Sequence, residues 1–306
     1  MIEVLSPGPL ATVQDLGRPG FTDLGVSRSG AADRGALRLA NRLVGNHESA
    51  AGIEITFGGL ALRLAGAATL AFTGARCELS GHRGGWNAAL SCPAGSVLTV
   101  GAPVSGLRSY LAVRGGLALA PVLGSQATDT LSGLGPDVLT AGCRLPVGPV
   151  APGEPGDFSG AAGYAPTAGI ATLRLGVGPR ADWFPPESLA RLFGSPWQVR
   201  PDSNRIGVRL AGTGLRLRPD AERAAAELPS EPTLPGAVQV PPDGQPIVLG
   251  PDAQVTGGYP VIAVLAGAEL DLLAQLRPGA QLRFAPARSA PGPTASDPTA
   301  SDHFRD

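Results

Sequence analysis

The amino-acid sequence contains no lysine, so all 24 of its basic residues are arginines. An arginine guanidinium keeps its proton and is a poor nucleophile, which excludes a Schiff base formed on this chain. The same absence excludes the P-loop lysine that reaches the β- and γ-phosphates of a nucleotide. It also excludes a prosthetic group attached to a lysine. Chemistry of these kinds would have to use arginine, backbone amides or another protein.

The chain also has few cysteines and a small net charge. Three cysteines, an odd number, argue against a disulfide framework and favour a reducing compartment. The formal net charge of −1 provides no electrostatic footprint for nucleic acid or an anionic membrane. No apolar stretch approaches the roughly 18 residues of a membrane-spanning helix. The N-terminus MIEVLSPGPL lacks the basic region and the apolar run of a signal peptide. We therefore expect a soluble, cytoplasmic protein that binds neither nucleic acid nor membrane.

The 44 glycines and 31 prolines separate short apolar runs, a pattern typical of many short strands joined by tight turns. Runs such as LALRL are apolar at all but one position, which favours a barrel wall over a solvated sheet. Helical periodicity is found at 33–45, 186–194 and 268–276. In the first of these, Asp33 is placed to cap the N-terminus and Gly45 to end the helix. The sequence predicts a mostly-β protein with a few short helices.

A stretch rich in proline, glycine and alanine, without periodicity, divides the chain of 306 residues. It predicts a linker at 151–169 between a first domain, residues 1–150, and a second domain, residues 170–286. Residues 287–306 repeat PTASD and hold no apolar face until Phe304, so we expect a mobile tail.

Few residues suit metal chemistry. Cys77, His82 and Cys92 form the pattern C-x4-H-x9-C, which matches no common zinc spacing, so we predict no metal site.

The densest polar cluster lies in QVPPDGQPIVLGPDAQVTGGYPVIAVL (239–265), where two flanking runs resemble buried strands. Asp252, Gln254 and Thr256 alternate, so they point to one side of any extended segment. Glutamine amides both donate to and accept from an amide or lactam, and Tyr259 adds a hydroxyl. The cluster either satisfies the backbone of tight turns or forms the rim of a small-molecule site.

Two turn regions near the N-terminus leave similar alternatives open. In TVQDLGRPGF (12–21), Arg18 belongs either to a turn capped by Asp15 or to a site for a carboxylate or phosphate. In SRSGAADR (27–34), the start of the helix either binds an anion or is simply capped by Asp33.

One ordered series of segments carries a family resemblance: TVQDLGRPGF, SGAADRGALRLANRLVGN with IEIT, YLAVRGGL with LGSQATDT, SNRIGVRLAG, and PGAVQVPPDGQPIVLGPDAQVTGGYPVIAVLAGAELDLLAQLRPGAQLRF. Together, from about residue 4 to 285, they resemble the biotin-dependent carboxyltransferase family, also called allophanate hydrolase subunit 2. This family includes the C subunits of 5-oxoprolinases and the KipI antagonist. The resemblance implies two cyclophilin-like β-barrel domains. It also implies a partner, the KipI-like B subunit (allophanate hydrolase subunit 1), usually with a third protein, the A subunit.

The resemblance implies, as the leading hypothesis, the C subunit of an ATP-dependent 5-oxoprolinase. Such a hydrolase opens the cyclic amide 5-oxo-L-proline to L-glutamate and is active only with its partner subunits. The ATP site would not lie wholly on this chain. Two alternatives remain: a carboxyltransferase that uses biotin carried by another chain, and a non-catalytic regulatory antagonist of a KipI-like protein.

Residue roles follow from the chemistry and clustering of the polar side chains. Asp252 is the predicted proton acceptor. The predicted substrate-binding residues are Gln239, Gln254, Thr256 and Tyr259, with Asn204, Arg205 and Arg18 for anionic groups.

Overall fold

The structure is a computed structural model that describes residues 1–82, 85–150, 153–156, 169–226 and 228–287. The predicted linker at 151–169 lies largely outside these residues, and so does all but the first residue of the predicted tail, so the domain boundaries stay a prediction. No helix among the described residues is long and apolar enough to cross a bilayer.

The described part of the N-terminal half contains ten strands and one α-helix. They are β1 (Ile2–Pro7), β2 (Leu10–Gln14), α1 (Arg34–Leu43), β3 (Gly52–Thr56), β4 (Leu60–Leu64), β5 (Ala68–Gly74), β6 (Cys77–Ser80), β7 (Ala89–Cys92), β8 (Val97–Pro103), β9 (Arg108–Val113) and β10 (Arg144–Leu145).

These ten strands form two five-stranded sheets, with strand orders β10-β1-β4-β8-β6 and β2-β3-β9-β5-β7. Side chains from both sheets, such as Leu62 and Phe72, share one buried apolar cluster. Alternate residues point to opposite faces of a strand, so Ala71 of β5 and Ala112 of β9 face α1 instead. Their small side chains allow Ala40 and its neighbours on the helix to pack closely against the sheet.

The described part of the C-terminal half contains nine strands and three α-helices. They are β11 (Ala171–Val177), α2 (Pro186–Gly194), β12 (Trp197–Val199), β13 (Gly207–Ala211), α3 (Pro219–Ala226), β14 (Glu231–Pro232), β15 (Ala237–Gln239), β16 (Ile247–Leu249), β17 (Thr256–Gly257), β18 (Val261–Leu265), α4 (Leu270–Ala274) and β19 (Gln281–Pro286).

Seven of these strands form a closed barrel in the order β11-β18-β15-β16-β13-β12-β19. The parallel pair of β11 and β19 closes it, and β14 pairs with β17 outside it. Trp197 is fully buried in the barrel core, and its Nε1 donates to the carbonyl of Leu192 on α2 at 3.0 Å. The predicted fold class, mostly strands with few helices and a barrel-like architecture, is confirmed.

The helices follow the predicted pattern with one omission. Asp33 caps α1, because its Oδ1 accepts from the Ala36 amide at 2.8 Å, and α2 has the predicted bounds. The segment predicted at 268–276 is a 3₁₀ turn that continues into α4. The helix that was missed is α3, although PDAERAAA carries a proline at its start and strong helix formers after it.

The position of Trp197 leads to a prediction about the barrel core. A Cβ added at Gly212 would lie 2.7 Å from the Trp197 ring, which cannot move because it is fully buried. We expect Gly212→Ala to lower the free energy of unfolding by about 1–3 kcal/mol, as measured by urea denaturation.

Gly194→Ala, in the same half of the chain, is the matched control. An added Cβ there meets no atom within 4 Å. Equal stability of the two variants would contradict the packing described for Trp197.

Candidate functional site

A groove of about 260 Å³ opens on the wall of the barrel. Its lining comes from β13, β15 and β16 and from the loops that follow β12, β15, β16 and β17. Four of the residues predicted from the sequence share this groove: Asn204, Gln239, Gln254 and Tyr259. Although these residues are up to 55 positions apart in the numbering, the closure of the barrel brings them together.

Gln239 is the most enclosed polar side chain of the groove, with a relative exposure of 2%. Its Nε2 lies 3.4 Å from the carbonyl oxygen of Tyr259, whereas its Oε1 accepts no hydrogen bond from the described residues. A Cβ at Gly257 would lie 2.6 Å from that Nε2, so this glycine leaves room for the amide. The groove therefore contains a fixed glutamine amide whose oxygen is free to accept from a ligand.

The remaining predicted residues of the groove are more accessible. Asn204 and Gln254 are exposed, and the Tyr259 side chain is 45% exposed. The hydroxyl of Tyr259 and the Gln254 amide make no hydrogen bonds within the described residues, so both are available to a ligand. Asn204 uses its Oδ1 to accept from the amides of Ile206 and Gly207, which leaves its Nδ2 as a donor.

Other polar residues of the 239–265 segment serve turns, as the alternative interpretation holds. Asp243 accepts from the backbone amide of Gln245 at 3.0 Å. Gln245 in turn bonds both backbone groups of Gly212. The segment is thus partly a set of tight turns and partly the rim of a groove.

The sequence analysis missed the two arginines of the groove, Arg200 and Arg209. They lie across the β12–β13 hairpin, where the Arg200 amide donates to the Arg209 carbonyl at 2.8 Å. The exposed Asp202 binds Arg200 through two hydrogen bonds of 3.0 Å and lies 3.7 Å from Arg209. The alternation in WQVR and GVRLA was the available signal, since it places these side chains on the outer face of the hairpin.

Asp252 and Arg205 lie outside the groove, at the contact between the two halves of the chain. The carboxylate of Asp252 is fully buried and accepts two hydrogen bonds of 2.8 Å from Arg205. It also accepts from Ser29 Oγ at 2.6 Å and from the amide and hydroxyl of Thr130. Because every contact is to the protein itself, the geometry favours a structural role for Asp252, and its role as a proton acceptor stays a prediction.

A second buried carboxylate binds the other end of the Arg205 guanidinium. Glu54 of β3 accepts from Arg205 Nη1 at 2.5 Å, and its other oxygen accepts from the Tyr110 hydroxyl at 2.8 Å. Arg205 Nη2 also donates to the carbonyl of Gly30 at 2.7 Å. Each nitrogen of the Arg205 guanidinium therefore has a partner within the protein, which favours a structural role, and its role in binding a ligand anion stays a prediction.

The charges in this network stabilise each other. Burial disfavours the ionised forms of Asp252 and Glu54, but the Arg205 guanidinium outweighs it and holds the pKa of both carboxyls below the usual range. Burial likewise disfavours the charged form of Arg205, and the two carboxylates still raise its pKa. All three groups are thus ionised in the folded protein.

Thr256 and Arg18 also lie outside the groove. Thr256 is exposed in β17 and pairs with Pro232 of β14. Arg18 is buried in the first half, where its Nη2 donates to the carbonyl of Ala127 and its Nε and Nη1 lack a hydrogen-bond partner among the described residues. A role of either residue in substrate binding stays a prediction.

A second polar contact between the two halves involves Asp33. Its Oδ2 accepts from Gln275 Nε2 at 2.7 Å, while Gln275 Oε1 accepts from the amides of Leu107 and Arg108. Burial, followed by the nearby negative charge of Asp271, raises the pKa of Asp33 to about 7. Its proton is therefore retained in the folded state at pH values where the unfolded chain has lost it.

The described residues include no group of three or more histidine, cysteine, aspartate or glutamate side chains arranged to hold a metal ion.

Residues 24–286 match the carboxyltransferase domain, subdomain A and B. The chain is 41% identical over 291 residues to the C subunit of 5-oxoprolinase from Escherichia coli, a match that covers 93% of this chain and 90% of that protein. It is 32% identical to urea amidolyase of Saccharomyces cerevisiae, a match that covers 93% of this chain but 16% of that protein. The crystal structure of K. lactis urea amidolyase superposes with a TM-score of 0.84 at 30% identity, covering 93% of this chain and 18% of that chain. The chain is thus similar to a whole subunit in one case and to a small part of a much larger protein in the other.

Replacing Asp252 tests the ion network. Asp252→Asn leaves Arg205 buried with one carboxylate fewer, and we expect the free energy of unfolding to fall by about 3–5 kcal/mol. Asp202→Asn, which alters a solvent-exposed ion pair of another arginine, should leave stability close to that of the wild type because water screens that pair. Chemical denaturation measures the free energy of unfolding of both variants. Equal stability of the two variants would argue against the structural role of Asp252.

The raised pKa of Asp33 predicts a pH dependence of stability. Between pH 3.8 and about 7 the unfolded chain releases this proton while the folded chain retains it, so rising pH favours unfolding. Asp33→Asn removes the titration. We therefore expect the free energy of unfolding of the variant, relative to the wild type, to increase as the solution passes from acidic to neutral pH. Urea denaturation at several pH values measures this difference.

Asp23→Asn serves as the control, because the Asp23 side chain is exposed and makes no hydrogen bond within the described residues. The free energy of unfolding of this variant should change with pH in parallel with that of the wild type. If the Asp33→Asn profile is parallel as well, Asp33 does not carry the proton described above.

Proposed function

The chain belongs to the carboxyltransferase family of subdomains A and B, and on this premise we propose that it is the C subunit of an ATP-dependent 5-oxoprolinase. In this proposal the groove on the barrel holds the lactam ring of 5-oxo-L-proline. The products are L-glutamate, ADP and phosphate. Activity requires two partner proteins, the B subunit, which is KipI-like, and the A subunit.

Similarity along the whole chain supports this proposal over the alternatives. The relative from Escherichia coli is aligned over 90% of its own length, whereas the urea amidolyase of Saccharomyces cerevisiae is aligned over 16% of its length. The single structural observation that carries the proposal is the free Oε1 of Gln239 in an otherwise enclosed position of the groove. A lactam presents one N–H donor and one carbonyl acceptor, and the N–H complements this oxygen.

The chemistry explains why ATP is required. An unstrained lactam resists attack by water because its carbonyl carbon is a poor electrophile. Transfer of the γ-phosphoryl group to the lactam oxygen releases ADP and creates a better electrophile. A first water then adds to that carbon and the bond between the carbon and the ring nitrogen breaks, with the proton passing to the nitrogen, which leaves an open-chain acyl phosphate. A second water displaces phosphate from this acyl phosphate, so that L-glutamate and phosphate are released. In this scheme the present chain binds and orients the lactam or its activated form.

The absence of lysine bears on the origin of the phosphoryl group. This chain has no lysine to neutralise the β- and γ-phosphates of ATP. We therefore place at least part of the ATP site on a partner protein. Within the groove, Asp243 supplies the carboxylate that could take a proton, since Asp252 is held in the ion pair with Arg205.

A carboxyltransferase reaction is the second candidate. The matched family and the similarity to urea amidolyases favour it. The ureido group of biotin presents one carbonyl acceptor and two N–H donors, one donor more than a lactam, so the amide groups of the groove would suit it as well. Biotin would have to arrive on another protein, because this chain has no lysine to carry it.

Reconstitution separates these functions. The chain is mixed with the partner B and A subunits, and release of glutamate from 5-oxoproline is followed with and without ATP. ATP-dependent release supports the proposal. Turnover blocked by avidin favours the carboxyltransferase, and binding to the KipI-like partner without any turnover favours a regulatory antagonist.

Within the active complex, the groove is tested by Gln239→Ala. Loss of one hydrogen bond of about 0.5–1.5 kcal/mol should lower kcat/KM for 5-oxoproline about twofold to twelvefold. The control is Gln281→Ala on β19, where the side chain is exposed and makes no hydrogen bond within the described residues. If the two variants have the same kcat/KM, the groove does not bind the lactam.

A further inference from the structure

A second concavity lies between the two halves of the chain and has a volume of about 280 Å³. One wall is the start of α1, with Arg34 and Arg38. The opposite wall comes from the second half, including the segment from Gly267 to Ala274. Three arginine side chains line this interdomain cleft, against a single carboxylate, that of Asp271.

Arg34 is the unbalanced charge of the interdomain cleft. Its side chain is half-buried and makes no hydrogen bond or ion pair with the described residues, since only its backbone amide donates to Asp271. Burial, followed by the positive charge of Arg28, lowers the pKa of Arg34. The Asp271 carboxylate opposes this effect from a distance, but no carboxylate among the described residues forms an ion pair with the Arg34 guanidinium, as buried charges ordinarily require.

Arg108 adds a second donor to the same cleft. Its side chain is more than nine-tenths buried, and its Nη1 donates to the carbonyl of Ala274 at 2.5 Å. Its Nε lies 3.4 Å from Glu54 but makes no hydrogen bond with the described residues. Its Nε is buried and faces Glu54, whereas its Nη2 is not buried and donates to none of the described residues, so Nη2 is the donor that remains for the cleft.

The other charges of the cleft are already engaged. Arg38 lies 3.6 Å from Glu48 outside the cleft. The Asp271 carboxylate accepts from the amides of Arg34 and Gly35, so it occupies the N-terminus of α1 itself. The positive end of the helix is thus satisfied by the protein, and the excess positive charge resides on the arginine side chains.

We propose that the interdomain cleft is a binding site for a small oxyanion, a phosphate or a carboxylate, held by Arg34 together with Arg108. The fork of the guanidinium matches both anions. The volume accommodates a small molecule, and the ligand supplies the negative charge that Arg34 lacks. Asn204 lines both this cleft and the groove on the barrel, so the two sites are neighbours. The proposal does not depend on the reaction that the complex catalyses.

The test uses the full chain alone, titrated calorimetrically with inorganic phosphate and, separately, with acetate at constant ionic strength. We expect saturable binding of at least one of them in the millimolar range. Saturation by phosphate alone identifies a phosphoryl site, whereas saturation by acetate alone identifies a carboxylate site. Absence of saturable binding of both anions overturns the proposal.

Two variants assign the binding to the cleft. Arg34→Gln removes one charge from a side chain that bonds to none of the described residues, so the variant should fold normally. We expect its affinity for the anion to fall by at least about tenfold. Arg144→Gln removes the same charge from the exposed strand β10 and should bind as the wild type does. An equal loss in both variants would show unspecific attraction to positive charge and would also overturn the proposal.

Discussion

Arg205 lies between two carboxylates that belong to different halves of the chain, and the contact between the two halves depends on this arrangement. Asp252 comes from the same half as the arginine and Glu54 comes from the other, and all three side chains are buried. Charged groups lose hydration on burial, so the arrangement is stable only because each polar atom finds a partner. The guanidinium fork meets this condition with hydrogen bonds in several directions. The two halves are therefore fixed by directional contacts that tolerate little displacement.

The ion network of Arg205 explains why the two concave sites lie beside each other. Asn204 directly precedes Arg205 in the chain, so the fixed arginine also positions the residue that lines both the groove and the interdomain cleft. The groove contains several side-chain amides, whereas the cleft is lined by three arginines, of which Arg34 has no ion-pair partner among the described residues. Neighbouring sites of such different character suit a substrate with both an amide and an anionic group, or two ligands that meet.

Residue types and their spacing predicted much of the fold. Asp33 at a helix start and short apolar runs between glycines follow from local physics, so their structural outcome could be anticipated. The groove was anticipated in part, because Gln239 and Tyr259 stand in one polar segment. The two arginines of the groove were missed, since their contribution depends on a hairpin whose register a sequence does not state. Asp252 looked like a free carboxylate because its partners Ser29 and Thr130 lie far away in sequence.

Composition, local periodicity and the order of motifs are enough to predict the mostly-β class, the cap of the first helix, the chemistry excluded by the missing lysine and the family resemblance. Which charged residues are satisfied by the protein, and which remain available to a ligand, becomes visible in the folded chain alone. Arg205 and Arg34 are chemically identical, yet two carboxylates bind the guanidinium of the first, whereas the guanidinium of the second makes no ion pair with the described residues. That difference arises because long-range packing, and not residue type, chooses the partner of a buried charge.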